Sequence, residues 1–322
     1  TKSGADAGNY TITQPTTTAT ITAKGLTVTG ITATNRVYDA TTDATALLDK
    51  TAAALSGVVA GDTVTMDHAS ATASFADKTI GAGKTVTIVG ITIGGADSGN
   101  YTLSQPSTTA DITAKTLTVS GITAANKTYN ASTVATLSTG SAAFVGVESG
   151  DTVTIGVGSA TGAFATKTIG AGKTVQVSGV TKSGADAGNY TITQPTTTAT
   201  ITAKGLTVTG ITAANRVYDA TRGATALLDK TSAALSGVVA GDTVTMDHTS
   251  ATASFTDKTI GAGKTVTIAG ITIGGADAGN YTLSQPSTTA DITAKTLTVS
   301  GITATNKTYN ASTVATLNTG SA

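Results

Sequence analysis

Apolar and hydroxyl side chains alternate along short segments of this chain, the pattern of β-strands that bury one face. Leu26 and Val28 alternate with threonines, and the apolar positions change phase after Gly30. The same change of phase occurs after Gly90. A glycine between two segments of opposite phase predicts a bulge or a strand that crosses from one sheet to another.

Further alternating runs predict strands around Val64 and Met66, around Tyr101 and Leu103, and from Ala110 to Ala114. Turn signals separate them: A-G-D at 60–62, G-A-G at 81–83 and G-G-A-D-S-G-N at 94–100. About six or seven short strands within about 90 residues predict an all-β fold, a small antiparallel β-sandwich of immunoglobulin-like type. A β-grasp-like domain is the alternative, which the lack of an amphipathic helix of about 10–12 residues weakens.

Internal repetition dominates the sequence. Residues 1–142 recur as residues 181–322 with ten differing positions, which gives a long period of 180 residues. A more diverged repeat lies within it, because the motif G-A-D-x-G-N-Y occurs four times and a second tyrosine follows each copy by 28 residues. Two types of repeat, A and B, therefore alternate. The tyrosine pairs are Tyr10 and Tyr38, Tyr101 and Tyr129, Tyr190 and Tyr218, and Tyr281 and Tyr309.

Repeat boundaries are predicted at the motif I-T-A-K, where one strand run ends and the next begins without a linker rich in glycine or proline. Type A repeats then span 24–114 and 204–294, and a type B repeat spans 115–203. Residues 1–23 match the C-terminal part of a type B repeat and residues 295–322 its N-terminal part. We expect this segment to belong to a longer fibre in which the domains follow one another in an elongated row.

Type A is two residues longer than type B, and the extra length falls between the second tyrosine and the motif G-D-T. Length changes concentrate in surface loops. We expect such a loop there, with at most one helical turn.

The amino-acid composition limits the possible size of the cores and the possible binding partners. Only 4% of residues are aromatic and tryptophan is absent, which favours several small aliphatic cores over one large core. Nineteen basic and 19 acidic side chains are scattered singly, so nucleic acid is excluded as a partner. No run of eighteen apolar residues occurs, which predicts no membrane span in this segment.

Candidate reactive groups lack companions. His68 and His248 have no second ligand nearby in the sequence, and metal binding or catalysis needs converging groups. Asp97 and Asn100 could bind calcium, but these residue types also favour turns. An isopeptide bond at Lys127 would need a buried acid, and Glu148 is the only glutamate. The sequence therefore predicts no catalytic, cofactor or metal site, and no enzyme.

Four motifs in fixed order carry a family resemblance: N-R-V-Y-D-A, G-V-V-A-G-D-T-V-T, S-F-A-D-K-T-I-G-A-G-K-T-V and G-A-D-A-G-N-Y-T. They resemble the YDG repeat domain, and the likeness covers essentially the whole chain. Ala40 and Ala131 stand where the family has the glycine of its eponymous tripeptide. The resemblance implies tandem domains in a large bacterial haemagglutinin-like or adhesin-like protein, secretion, display on the cell surface, and adhesion.

The leading functional hypothesis is a structural stalk or filament segment of an extracellular, cell-surface adhesin that holds a binding region away from the cell. The alternative is a multivalent adhesive module whose copies bind a host or biofilm-matrix ligand. An ice-binding threonine array is a more remote alternative. Expected partners are neighbouring repeats of the same chain and other copies in a fibre. An adhesive repeat should show an exposed apolar patch in every copy, whereas a spacer should not.

Overall fold

The computed structural model describes residues 1–320. These residues form short β-strands joined by turns and by 3-10 helices of three residues each, and they contain no α-helix. The predicted all-β fold class is confirmed. No helix within this described range is long and apolar enough to span a membrane.

The first type A repeat contains eleven strands: β1 (Lys24–Thr29), β2 (Thr32–Ala33), β3 (Arg36–Val37), β4 (Leu48–Asp49), β5 (Ala54–Ser56), β6 (Thr65–Asp67), β7 (Thr72–Phe75), β8 (Gly81–Val89), β9 (Thr92–Gly94), β10 (Tyr101–Ser104) and β11 (Ser107–Thr113). Six or seven strands were expected. The number is higher because the repeat also contains very short strands that the alternating pattern did not reveal, such as β3 and β4 with two residues each and β5 with three.

The type B repeat contains twelve: β12 (Lys115–Ser120), β13 (Thr123–Ala124), β14 (Lys127–Thr128), β15 (Val134–Ala135), β16 (Leu137–Ser138), β17 (Ala143–Val145), β18 (Thr154–Gly156), β19 (Thr161–Phe164), β20 (Gly170–Ser178), β21 (Thr181–Ser183), β22 (Tyr190–Ile192) and β23 (Thr196–Thr202).

The second type A repeat repeats the pattern of the first with β24 (Lys204–Thr209), β25 (Thr212–Ala213), β26 (Arg216–Val217), β27 (Leu228–Asp229), β28 (Ala234–Ser236), β29 (Thr245–Asp247), β30 (Thr252–Phe255), β31 (Gly261–Ala269), β32 (Thr272–Gly274), β33 (Tyr281–Ser284) and β34 (Ser287–Thr293). A final pair, β35 (Thr303–Ala304) and β36 (Leu317–Asn318), is antiparallel.

Each type A repeat has two larger sheets. In the first repeat their strand orders are β10-β1-β5 and β3-β11-β8-β7, and the pairs β2-β4 and β6-β9 complete it. β1 lies parallel to β10, and β3 lies parallel to β11. The expectation of purely antiparallel pairing is therefore wrong at these two edges. Alternation of side chains has the same period in both pairing directions, so it does not encode direction.

Two glycines move the chain between sheets, as the change of phase predicted. Gly30 separates β1 from β2, and Gly90 separates β8 from β9; each strand pairs in a different sheet from the one before it. Gly30 has φ +77°, and a Cβ there would lie 2.0 Å from the carbonyl oxygen of Ala52. Only glycine fits this crossing.

The prediction of a turn at G-A-G, residues 81–83, is wrong, because this segment lies inside β8. The register between β8 and β11 shifts there, and Gly83 adopts φ +58°. The glycines thus form a β-bulge. Between the second tyrosine and G-D-T of type A, where a surface loop with at most one helical turn was expected, the chain forms one 3-10 turn at Thr45–Leu47, followed by the strands β4 and β5.

The chain divides into two compact units, and the division runs through the type B repeat. The first unit holds Thr1–Ile122, Thr139–Ala160 and Ser178–Pro195, and the second holds Thr123–Ser138, Thr161–Val177 and Thr196–Ala322. Each unit therefore combines a type A repeat with half of the type B repeat.

The cores follow the same division. In the first unit, one buried cluster contains Val86 and Ile88 of the type A repeat together with Leu117 and Tyr190 of the type B repeat. We expected each repeat to have its own thin core, and the second type A repeat does have one. The core of the first type A repeat instead continues into the type B repeat, and a third cluster joins the type B repeat with Leu206 and Tyr281 of the second type A repeat.

Candidate functional site: the junction between repeats

The first junction, in the first unit, is built around two tyrosines from consecutive repeats. Tyr38 follows β3 of the type A repeat, and Tyr190 begins β22 of the type B repeat. Their rings meet edge to face, with centroids 5.3 Å apart and an interplanar angle of 76°. Both side chains are fully buried. Aromatic pairs in this geometry contribute about 0.5–1.5 kcal/mol beyond the area that they bury.

A single carboxylate joins the two rings. Both tyrosine hydroxyls donate to Oδ2 of Asp151, Tyr38 at 2.8 Å and Tyr190 at 2.7 Å. Lys78 of the type A repeat donates through Nζ to the other oxygen, Oδ1, at 2.7 Å. The Asp151 side chain is completely shielded from solvent. Three donors therefore satisfy a carboxylate that would be costly to bury alone.

The turn that precedes Tyr190 supplies two more contacts. The backbone N–H of Ile80 donates to Oδ1 of Asn189 at 3.2 Å, and Asn189 is buried. Asp186 lies 3.5 Å from Nζ of Lys78 and accepts a hydrogen bond from the backbone N–H of Thr152 at 2.9 Å. The turn thus connects its own repeat with the preceding one.

We name the two sides of this junction for use below. The lysine face consists of the second tyrosine, the lysine and the isoleucine of D/T-K-T-I, here Tyr38, Lys78 and Ile80. The acidic face consists of the aspartate of G-D-T with the aspartate, asparagine and tyrosine of G-A-D-x-G-N-Y. Its members here are Asp151, Asp186, Asn189 and Tyr190.

The contacts at the first junction shift the pKa values of its ionisable side chains. The hydrogen bond to Asp151 raises the pKa of Lys78. Burial alone would raise the pKa of Asp151, but hydrogen bonds from Lys78, Tyr190 and Tyr38 outweigh it and keep that pKa below its ordinary value. Burial, followed by the hydrogen bond to Asp151, raises the pKa of Tyr190. The ammonium, carboxylate and neutral phenol forms are therefore all favoured at neutral pH.

The second junction, in the second unit, has the same construction. Tyr129 and Tyr281 meet with centroids 5.4 Å apart, and both donate to Oδ2 of Asp242, at 2.8 and 2.6 Å. The backbone N–H of Ile169 donates to Oδ1 of Asn280 at 3.1 Å. Here the acidic face belongs to a type A repeat and the lysine face to a type B repeat.

A strained turn positions the tyrosine of the lysine face. Ala40 and Ala131, each two residues after that tyrosine, have φ of 62° and 59°, in the left-handed region that favours glycine. Oδ1 of Asp39 accepts a hydrogen bond from the backbone N–H of Thr41 at 3.0 Å and closes the turn. The alanine that replaces the family's glycine therefore keeps a glycine-like conformation.

The tyrosines that the sequence singled out differ in environment. Tyr101, Tyr190 and Tyr281 are buried. Tyr10 and Tyr309 carry the same motifs but are 69% and 90% exposed. Burial of these tyrosines therefore depends on the strands around them and not on the motif alone.

The other candidate residues make local contacts. His68 and His248 are half-buried. Oδ2 of Asp97 accepts a hydrogen bond from the backbone N–H of Thr63 at 2.8 Å, as expected for a turn residue, and Asn100 is exposed.

The residues of the isopeptide hypothesis are also engaged locally. Lys127 donates through Nζ to two backbone carbonyls, those of Ser132 and Val134. Glu148 forms an ion pair with Lys115. No group of three metal-ligating side chains occurs within residues 1–320.

Sequence reasoning missed the central residues, Asp151 and Lys78. An aspartate in G-D-T reads as a turn residue, and a lone lysine reads as a solvated side chain. One signal was available: every complete repeat contains two tyrosines, this aspartate and this lysine, although charged residues are few.

Comparison with known protein families gives one finding. The family model described as the YDG domain matches residues 22–110, 113–199 and 202–290. No curated protein matches the chain.

Proposed function

The chain belongs to the YDG domain family, and we propose that it is a structural stalk or filament segment of a large bacterial surface protein, displayed outside the cell. Its role would be to hold a binding region at a distance from the cell surface. The neighbouring repeats of the same chain are its main partners.

One observation carries this proposal: consecutive repeats are joined by buried, specific contacts at both junctions. A shared core and a tyrosine-aspartate-tyrosine link restrict bending and twisting at the joint. Domains that only need to be tethered are usually joined by flexible linkers rich in glycine or serine. A rigid joint favours a role in setting distance.

We also propose that each repeat is a small two-layer β-sandwich with mixed sheets, and that the repeats form an elongated row. In the first type A repeat, Val28 of one larger sheet and Ile88 and Ile112 of the other belong to one buried cluster. This is the arrangement expected when two sheets face each other. Electron micrographs that show repeats folded back on one another would contradict the row.

The exposed apolar side chains support a spacer more than an adhesive module. Among residues 1–320, one exposed large apolar position recurs in all three complete repeats, that of Ile80, Ile169 and Ile260. It lies on the lysine face, next to the junction. A shared adhesive surface would be expected to present a larger recurrent patch.

The proposal can be tested in the intact surface protein by deleting pairs of A and B repeats. We expect the height of the surface layer to fall by roughly 30 Å or more per repeat, if the nine-residue strand, β8 in the first repeat, follows the axis at ~3.3 Å per residue. The purified 322-residue chain should not bind host cells or biofilm matrix. Unchanged height together with specific binding by the purified chain would favour the adhesive module instead.

A further inference from the structure

The first strand of a repeat pairs in parallel with a strand near the end of the same repeat. In the repeat 24–114, β1 lies parallel to β10 over four residue pairs, from Lys24 with Tyr101 to Thr27 with Ser104. Only two residues separate β10 from β11, the last strand of the repeat. β3 in turn lies parallel to the end of β11. The other strand pairs within 24–114 are antiparallel.

This arrangement occurs in all three complete repeats. In the type B repeat β12 lies parallel to β22 and β14 to β23, and in the second type A repeat β24 lies parallel to β33 and β26 to β34. The second pairing always ends in a backbone hydrogen bond from the N–H of the second tyrosine to the carbonyl oxygen of the threonine in I-T-A-K. Its length is 2.9 Å for Tyr38, 2.8 Å for Tyr129 and 2.8 Å for Tyr218. We call these two pairings of a repeat its parallel pairs.

We infer that each repeat is built to bear tension along the chain, and that its parallel pairs resist this tension. Force enters the repeat 24–114 at β1 and leaves it at β11. It draws β1 towards the N-terminus, and it draws β10, which continues into β11, towards the C-terminus. Because β1 and β10 run in the same direction, the two forces slide these strands along each other.

Sliding loads the hydrogen bonds of a strand pair together, whereas pulling apart one end of an antiparallel pair breaks them one after another. A single hydrogen bond contributes little net free energy, so bonds that are loaded singly give way at low force. The four residue pairs of β1 and β10 must instead give way at once. If β1 detaches, β3 and β11 are loaded in the same sliding direction. The repeat therefore has two barriers in series.

The repeat boundaries transmit tension without slack. Ala114 is the only residue between β11 and β12, and Ala203 is the only residue between β23 and β24. The buried link of the first junction also connects the parallel pairs of successive repeats, because Tyr38 follows β3 and Tyr190 begins β22. The inference rests on this strand pairing and does not depend on the proposed stalk role.

Single-molecule force spectroscopy of the full chain tests the inference by changing only the points of attachment. The chain contains no cysteine, so two engineered cysteines define where the force acts. Ala23→Cys with Ala114→Cys places the handles at the two boundaries of the repeat 24–114 and loads its parallel pairs by sliding. Ala82→Cys with Ala114→Cys is the matched control, because it pulls apart one end of an antiparallel pair, where β8 begins and β11 ends.

At the same pulling speed, the unfolding force at the boundary handles should be at least about twofold that of the control, because four residue pairs yield together instead of one at a time. In the repeat 204–294, Ala203 and Ala262 are the equivalent positions, each combined with Ala294, and should give the same ratio. Chemical denaturation should give both variants of a repeat the same free energy of unfolding, so that only the direction of loading differs. Equal or lower force at the boundary handles in either repeat would overturn the inference.

Discussion

The two junctions share their tyrosines, aspartates and asparagine but hold the lysine differently. Lys78 lies 2.7 Å from Asp151, whereas Lys167 lies 3.6 Å from Asp242. The other aspartate of the acidic face is also farther from the lysine in the second junction: Asp277 lies 3.9 Å from Lys167, whereas Asp186 lies 3.5 Å from Lys78 in the first. The tyrosine hydroxyls keep nearly the same distances to the central carboxylate in both.

This comparison separates the constant part of the junction from the variable part. The buried tyrosine-aspartate-tyrosine link has little freedom, because displacing one hydroxyl would leave a buried carboxylate short of a donor. The lysine is partly exposed, 36% for Lys78 and 45% for Lys167, and water can replace its ion pair. Substitutions of the link should therefore matter more than substitutions of the lysine.

The largest effect is expected from Tyr38→Ala. Removing this fully buried ring leaves a cavity in the shared core and a donor missing at Asp151, which together should lower the free energy of unfolding by about 3–5 kcal/mol. Chemical denaturation of the full chain measures it. The matched control is Tyr10→Ala, at an exposed tyrosine, which should change stability by less than about 0.5 kcal/mol. Equal losses in the two variants would contradict the role of the ring.

Acid should loosen both junctions. The pKa values of Asp151 and Asp242 are lowered in the folded protein, the latter chiefly by the hydrogen bond from Tyr281. A carboxyl with a depressed folded pKa contributes stability above its unfolded pKa of about 3.9, and this stability is lost as pH falls through the folded pKa.

Melting temperatures between pH 7 and pH 2 test this prediction. Other aspartates with lowered pKa values contribute to acid sensitivity, so the comparison uses the double variant Asp151→Asn with Asp242→Asn. The wild-type advantage over this variant should shrink below about pH 4. An advantage that stays constant down to pH 2 would show that the carboxylate charge is irrelevant.

A smaller effect is expected from the lysines. Lys78→Ala should lower the melting temperature more than Lys167→Ala, because the shorter ion pair is lost in the first case. Both losses should shrink in high salt, since both side chains are partly exposed. If Lys167→Ala proved the more damaging, the distances would not be the controlling factor.

The smallest expected effect is an increase in stability. Ala131→Gly places glycine at φ 59°, where alanine is strained, and should stabilise the chain by up to about 1 kcal/mol after the entropy cost of glycine is subtracted. Ala163→Gly, in the exposed face of strand β19, is the control and should destabilise by about 0.5–1 kcal/mol. Thermal melts of the two variants should shift in opposite directions.

Local features of the fold could be predicted from the sequence. The alternation at Leu26 and Val28 located β1, and the phase change located the crossing at Gly30. The parallel pairing of β1 with β10 could not be predicted, because paired residues such as Lys24 and Tyr101 are 77 residues apart and alternation does not report direction.

The contacts at the junctions could not be predicted from the sequence for a related reason. The alternating pattern predicts that Leu117 faces inward. It does not tell whether Leu117 packs in the core of its own repeat or in that of the preceding repeat. Asp151 likewise follows turn chemistry locally, and its three donors come from two different repeats. Both failures concern contacts between residues distant in sequence.

The central claim is that stability is shared across the repeat boundary, and hydrogen exchange of Asp151→Ala measured by mass spectrometry tests it most directly. Protection should fall in Thr139–Ala160, in Ser178–Pro195 and also in β7 and β8 of the preceding repeat, because these segments share one core. Residues Thr161–Val177 of the same type B repeat should keep their protection, and Asp6→Ala, at an exposed aspartate, should change nothing. Loss spread evenly over 115–203, with β7 and β8 unaffected, would contradict the account.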